Sequence, residues 1–286
     1  MENFSDLILS TITVEAKISN IKFKEYELIH KLSLNNKSDI IKIGCNYQEY
    51  ISNEYLELTK PVQKSNRGRK KKEKPVSTRK VQGNGKYFNS QITFTVLDKD
   101  NKEKFYHLKL FTNGTIQIPF VCNENILIIK PIIELVIDTI KEINSIKENI
   151  LQPIEIVYIK SIMRNYGFSI THAKNYIDLY KFQEVLTNYK NLQTDNELAM
   201  KYLDHVDLLN TFKLGMIKCN FERYTGIILK FHTPIEGKPN KFTTMKIFSS
   251  GKINIDGCNC IEEAKKIQHM IYVLIFNNFD YLLYSK

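Results

Sequence analysis

The sequence predicts an α+β protein made of two repeats, each an antiparallel group of strands backed by helices. Three observations carry that expectation. Residues 108–118 and 245–255 spell one eleven-residue pattern 137 positions apart in a chain of 286; apolar positions match, and Lys109, Phe111 and Gly114 recur as Lys246, Phe248 and Gly251. A strand-like run precedes each copy, 88–97 in the first half and 224–232 in the second. A long apolar helix pattern follows each copy, over about 125–143 and about 261–276.

The elements follow in order within each half. Runs 11–18 and 154–163 read as opening strands, each followed by a helical stretch. Around each Phe-x-x-Gly segment, apolar and polar residues alternate, the period-2 signature of two half-buried strands joined by a tight turn. Glycine stands where such a turn needs positive φ. The first closing helix carries Pro131 near its start, and the second carries Glu262 and Glu263, suited to a helix N-terminus. The expected division is 1–150 and 151–286, with a basic disordered insert at 60–86 and a helical insertion at about 171–210.

Composition narrows the function. At 43% hydrophobic the chain can bury a core. Its first residues lack a positive n-region, so the expectation is a protein that is not secreted. Lys130, Glu134 and Asp138 interrupt apolar runs such as 126–143, which argues against a membrane span, and no membrane is expected among its partners. Five cysteines without metal-type pairs fit a reducing compartment, and Cys258 with Cys260 has no second pair to complete a zinc site. No metal or cofactor is expected. No His-x-x-x-His pair, Gly-x-Ser-x-Gly turn or phosphate loop is present, so the reading is not an enzyme.

The net charge of +10 is localised. Residues 60–86 hold eleven Lys or Arg against the single Glu73, leaving thirty basic (41 less eleven) and thirty acidic residues (31 less one) elsewhere. The electrostatic footprint of a nucleic-acid binder thus sits in one loop rich in Pro and Gly. Arg67, Arg69, Lys70, Lys71 and Lys72 are its densest part. They read as a phosphate clamp or an import signal; Arg67-Gly68-Arg69 is also similar to an AT-hook core, without the hook's following Pro.

Residues two apart in a strand share a face. His107, Lys109 and Phe111 therefore lie together, as do Thr115, Gln117 and Pro119. In the second copy the sets are Thr244, Lys246 and Phe248, and Lys252, Asn254 and Asp256. Ile116, Ile118, Ile253 and Ile255 point the other way, toward the helices. The polar face is then the free one.

This order of elements, with Phe248-Ser249-Ser250-Gly251-Lys252, Gly257 and the preceding Arg223-Tyr224-Thr225-Gly226 strand, resembles the TATA-box-binding protein family. The match is sharp over about 221–276, weaker over 88–143 and faint elsewhere. The divergence and the Asn, Ile and Lys richness look like the distant homologues of large cytoplasmic DNA viruses. The resemblance implies a pseudo-two-fold saddle with one curved antiparallel sheet and helices on its convex face. It implies a monomeric transcription initiation factor that bends A·T-rich promoter DNA through the minor groove. Its partners would be a cyclin-box transcription factor and RNA polymerase machinery. Its location would be the viral factory or virion in the cytoplasm, or the nucleus if the protein is cellular. The implied wedges are Phe88 with Phe111 and Tyr224 with Phe248. Arg223, Lys230 and Lys252 match positions that touch phosphate, and Lys109, Lys246, Gln117 and Asn254 occupy the reading face.

The chain departs from the family where that face is built. Lys109 and Lys246 stand where the family has Leu, and Gln117, Pro119, Asn254 and Asp256 stand where it has Val and Thr. The family's central Asn on each opening strand has Thr11 and Glu155 near its place. A polar underside leaves a second reading open: a saddle used as a protein-interaction module, with non-specific nucleic-acid binding through the basic loop. A nucleic-acid-processing accessory is a third.

Overall fold

The computed structural model describes residues 4–21, 23, 25–29, 32, 39–46, 48–59, 90–101, 104–142, 153–192, 213–222, 224–237 and 239–285. The expected basic insert at 60–86 lies outside them. The chain divides into two compact units, Thr13–Lys160 (the N-terminal unit) and Met1–Ile12 with Ser161–Lys286 (the C-terminal unit).

In the N-terminal unit, strand β1 (Ile8–Ile18, its C-terminal part) leads to a short helix α1 (Glu25–Ile29), strands β2 (Ile40–Gly44) and β3 (Glu49–Ile51), and helix α2 (Asn53–Leu58). Strands β4 (Gln91–Leu97), β5 (Phe105–Phe111) and β6 (Thr115–Val121) follow. The strand order is β3-β2-β4-β5-β6-β1. Strands β2 and β3 were not foreseen; β2 is buried at every position, which erases the alternation that marks a strand in sequence. A 3₁₀ turn (Ile126–Ile129) then enters α3 (Lys130–Lys141), with a proline in its first turn, where the missing N–H costs nothing.

The C-terminal unit contains β7 (Ile156–Ser169, from Ser161 onward), β8 (Tyr176–Ile177) and helix α4 (Leu179–Leu192). Strands β9 (Lys213–Cys219), β10 (Gly226–His232), β11 (Phe242–Phe248) and β12 (Lys252–Cys258) follow. Helices α5 (Ile261–Phe276) and α6 (Phe279–Leu282) and strand β13 (Leu283–Tyr284) end the chain. The order is β7-β12-β11-β10-β9, with antiparallel pairing at each step, and β13 pairs with β8. Strand β7 runs six residues past the expected end at 163. Tyr166, Phe168 and Ile170 continue the period of two into the core, so no local signal stops the strand there.

The two hairpins share their turn chemistry. Gly114 donates its N–H to the Phe111 carbonyl at 2.9 Å, and Gly251 to that of Phe248 at 3.0 Å. Both glycines have positive φ, 81° and 76°. A Cβ would lie 2.7 Å from the Ile18 carbonyl oxygen at Gly114 and 2.3 Å from that of Asn175 at Gly251. The Phe-x-x-Gly spacing is thus a backbone requirement, closing the turn and admitting a neighbouring chain.

Helix α5 explains which sheet face is free. Ala264, Ile267, Met270, Ile271, Leu274 and Ile275 recur at helical spacing and are buried with Ile227, Leu229, Phe231, Met245, Ile247, Ile253 and Ile255. Each buried Ile, Leu, Met or Phe side chain among them stabilises by roughly 1.5–3 kcal/mol. Glu263 closes the start of the helix, accepting from the Asn259 backbone N–H at 3.0 Å and from the Thr243 hydroxyl. Ile133, Val136, Ile137 and Ile140 form the corresponding buried stripe of α3.

Candidate nucleic-acid interface

With the apolar side of each sheet buried, the opposite side presents its polar residues in register. In the N-terminal unit Lys109 stands opposite Thr93 on β4 and Gln117 on β6, while Phe111 stands opposite Gln91. His107, Lys109, Phe111, Thr115, Gln117 and Pro119 are all half-buried, whereas Leu108, Leu110, Ile116 and Ile118 are fully buried. The face is not evenly open. Gln91 and Thr95 are buried on this side, and Thr95 is hydrogen bonded to His107 Nδ1 at 3.1 Å. Burial holds the His107 pKa below its ordinary value, and the Lys42 and Lys109 charges add to that effect.

The C-terminal unit carries the better-defined site. Lys246 stands opposite Ile228 on β10 and Asn254 on β12; Asn254 in turn stands opposite Gly167 on β7, and Lys252 opposite Ser169. Tyr224 and Phe248 meet at the end of β11, ring centroids 5.8 Å apart and planes at 55°. Gly226 lies directly below: a Cβ there would come within 2.8 Å of the Ile247 carbonyl oxygen, 3.1 Å of the Tyr224 ring and 3.2 Å of the Phe248 ring. The missing side chain lets both rings sit against the strand. Beside them Thr225, Phe248, Ser249, Ser250, Lys252 and Asn254 line an open depression of about 340 Å³.

Charge on this face is paired as well as exposed. The Lys246 ammonium lies 2.6 Å from Asp256 Oδ2. That hydrogen bond raises the Lys246 pKa despite partial burial. Lys230 is half-buried and Lys252 exposed. Asn165 is a candidate that the sequence reading missed. It accepts from the Gly257 N–H at 2.9 Å and donates to Thr11 Oγ1 at 2.9 Å. The continued alternation of β7 was the signal that would have found it.

The structure therefore brings Tyr224 and Phe248 together and places Lys246 and Asn254 side by side beyond them. Phe248 and Phe111 are neither core residues nor free rings, since both are half-buried. Phe88, Arg223, Arg67, Arg69, Lys70, Lys71 and Lys72 lie outside the described residues. Among the described residues no group of three His, Cys, Asp or Glu is placed to hold a metal, and no helix is long and apolar enough to cross a membrane.

This chain, with its antiparallel α+β fold, repeated Phe-x-x-Gly hairpins and polar sheet face opposite the helices, is similar in sequence to known proteins along most of its length. Proteins of African swine fever virus bearing the name "Putative TATA-binding protein pB263R" are its relatives. The one from the Pretoriuskop Pr4 isolate is 28% identical over 266 residues, 92% of this chain and 86% of its own length. The one from the Kenyan KEN-50 isolate is 27% identical over the same span. A solved structure of Methanococcus jannaschii TBP aligns over 96% of this chain and 99% of its own, at 13% identity and a TM-score of 0.42. No protein-family model matches the chain.

Proposed function

We propose that this chain is a DNA-binding transcription initiation factor that engages promoter DNA through the minor groove and bends it. The observation that carries the reading is the Tyr224–Phe248 pair standing at the edge of a polar, partly exposed sheet face, with Lys252 beside it. A half-exposed ring pair is suited to enter between base steps, and the kink it makes lets the strands meet the widened groove. Asn254, Gln117, Lys109 and Lys246 supply hydrogen-bonding groups for base edges. Lys230, Lys252, Arg223 and the basic residues 67–72 supply phosphate contacts. The viral relatives named for TATA binding support the same reading. In it, 1–150 and 151–286 are copies of one ancestral repeat, and no catalytic step is involved. The bent complex would be read by a cyclin-box factor and an RNA polymerase, at the cytoplasmic site where such a virus transcribes.

One observation favours a second reading. The Lys246–Asp256 ion pair spends a cation that could meet DNA, as a surface that binds protein would allow. Fluorescence energy transfer across an end-labelled A·T-rich duplex, with a minor-groove-filling drug as competitor, separates the two. Bending that the drug abolishes supports the initiation factor. Salt-sensitive binding without bending or competition supports the interaction module.

A further inference from the structure

We infer that the C-terminal unit reads a G·C pair within its DNA site, through the Asp256 carboxylate held by Lys246. The inference rests on the minor-groove reading above and names its sequence preference. Asp256 alternates along β12 with Ile253 and Ile255, which are fully buried, so its side chain lies on the polar face. It stands opposite Thr244, and its Oδ2 accepts from the Lys246 ammonium at 2.6 Å. Among the described residues the Asp256 side chain has no other hydrogen-bond partner. Both side chains remain about a third exposed, at 31% for Asp256 and 37% for Lys246, so the pair faces whatever covers the sheet.

Minor-groove chemistry then decides what that pair prefers. A·T and T·A pairs show only acceptors there, adenine N3 and thymine O2, whereas a G·C pair adds the guanine N2 amino donor between its acceptors. A carboxylate is an acceptor only. Against A·T it would be desolvated opposite like-natured acceptors with one oxygen unmatched, the situation that penalises a buried charged group. Against G·C its second oxygen accepts from the guanine amino group, and the remaining Lys246 N–H groups donate to guanine N3 or cytosine O2. The ammonium also offsets the carboxylate charge between the phosphate rows, which an isolated aspartate could not tolerate. A donor beside an acceptor is the complement of a G·C edge.

The N-terminal unit has no such pair at the positions 137 residues earlier. Its corresponding positions hold Lys109 and Pro119, and proline offers no side-chain acceptor. The two copies therefore present unlike chemistry to DNA, and a site with G·C on one side gives the bound protein a direction.

The test is selection from a duplex library with a randomised core, by wild type, Asp256→Asn and Asp256→Thr, followed by anisotropy titrations on the selected duplex. Wild type should select a G·C pair at one off-centre position. Replacing that guanine with inosine, which lacks only the N2 amino group, should weaken binding roughly 5- to 100-fold. Replacing it with 7-deazaguanine, altered only in the major groove, should change little. Asp256→Thr should lose the preference for G·C and accept A·T. Asp256→Asn, which keeps the shape of the side chain, should reduce the inosine effect with an unchanged melting temperature. Selection of an uninterrupted A·T core, or equal affinity for inosine and guanine, overturns the inference while leaving minor-groove binding standing. A protein that selects no duplex, or that minor-groove drugs do not displace, overturns the minor-groove reading and this inference with it.

Discussion

Replacing Phe248 by alanine distinguishes a wedge from a core residue, because the two roles make opposite demands on stability and binding. A fully buried Phe truncated to Ala costs about 3–5 kcal/mol. Phe248 is only half-buried, and its main ring contact is Tyr224 at a centroid distance of 5.8 Å. An aromatic pair contributes about 0.5–1.5 kcal/mol beyond area burial. The expected loss is then about 1–2 kcal/mol, a melting shift of roughly 2–8 °C in a chain of this size. On DNA, a ring stacked against bases contributes about 1–3 kcal/mol, so affinity should fall roughly 5- to 150-fold. Bending should fall further, since it depends on the inserted ring. Energy transfer across a bent A·T-rich duplex and thermal melts on the same preparation measure both. A melting shift matching a full core truncation, or unchanged bending with unchanged affinity, would refute the wedge argument.

Other expected outcomes follow from single features. Phe120 has φ of 63° and is 67% exposed, while Gly257, 137 positions later, has φ of 89°; Phe120→Gly should raise stability by about 1 kcal/mol in denaturant titrations, and a loss would show that the exposed side chain is held by contacts. Neutralising Arg67, Arg69, Lys70, Lys71 and Lys72 should lower the log–log salt slope of duplex binding by about four to five units at most; an unchanged slope would remove this loop from the DNA contact. His107 has a lowered pKa through burial, so the unfolded chain binds more protons just below the ordinary value of 6.5. Its contribution to stability should be full above about pH 6.5 and should be lost as pH falls through the folded value, and His107→Gln should flatten melting temperature against pH in that window.

The sequence by itself determined everything that has a short period. Alternation around Phe111 and Phe248 specified both hairpins, Gly114 and Gly251 specified their turns, and Ala264, Ile267, Ile271 and Leu274 specified a one-sided helix, because each signal needs only neighbours within a turn or a strand. It also determined the buried and polar sides of β5, β6, β11 and β12, since the period of two leaves no other choice. Only tertiary structure decided what depends on register between distant segments. Lys246 and Asp256 meet because β11 and β12 pair Lys246 with Asn254 and Thr244 with Asp256. Asn165 reaches Thr11 across 154 positions, and no window of sequence contains both. Gly226 reads as an ordinary strand residue until the Tyr224 and Phe248 rings are seen above it. Strand β2 escaped notice because burial at every position removes the alternation by which a strand is recognised. The fold was legible wherever one residue's choice constrains its near neighbours; the chemistry of the face was settled by which strands lie side by side.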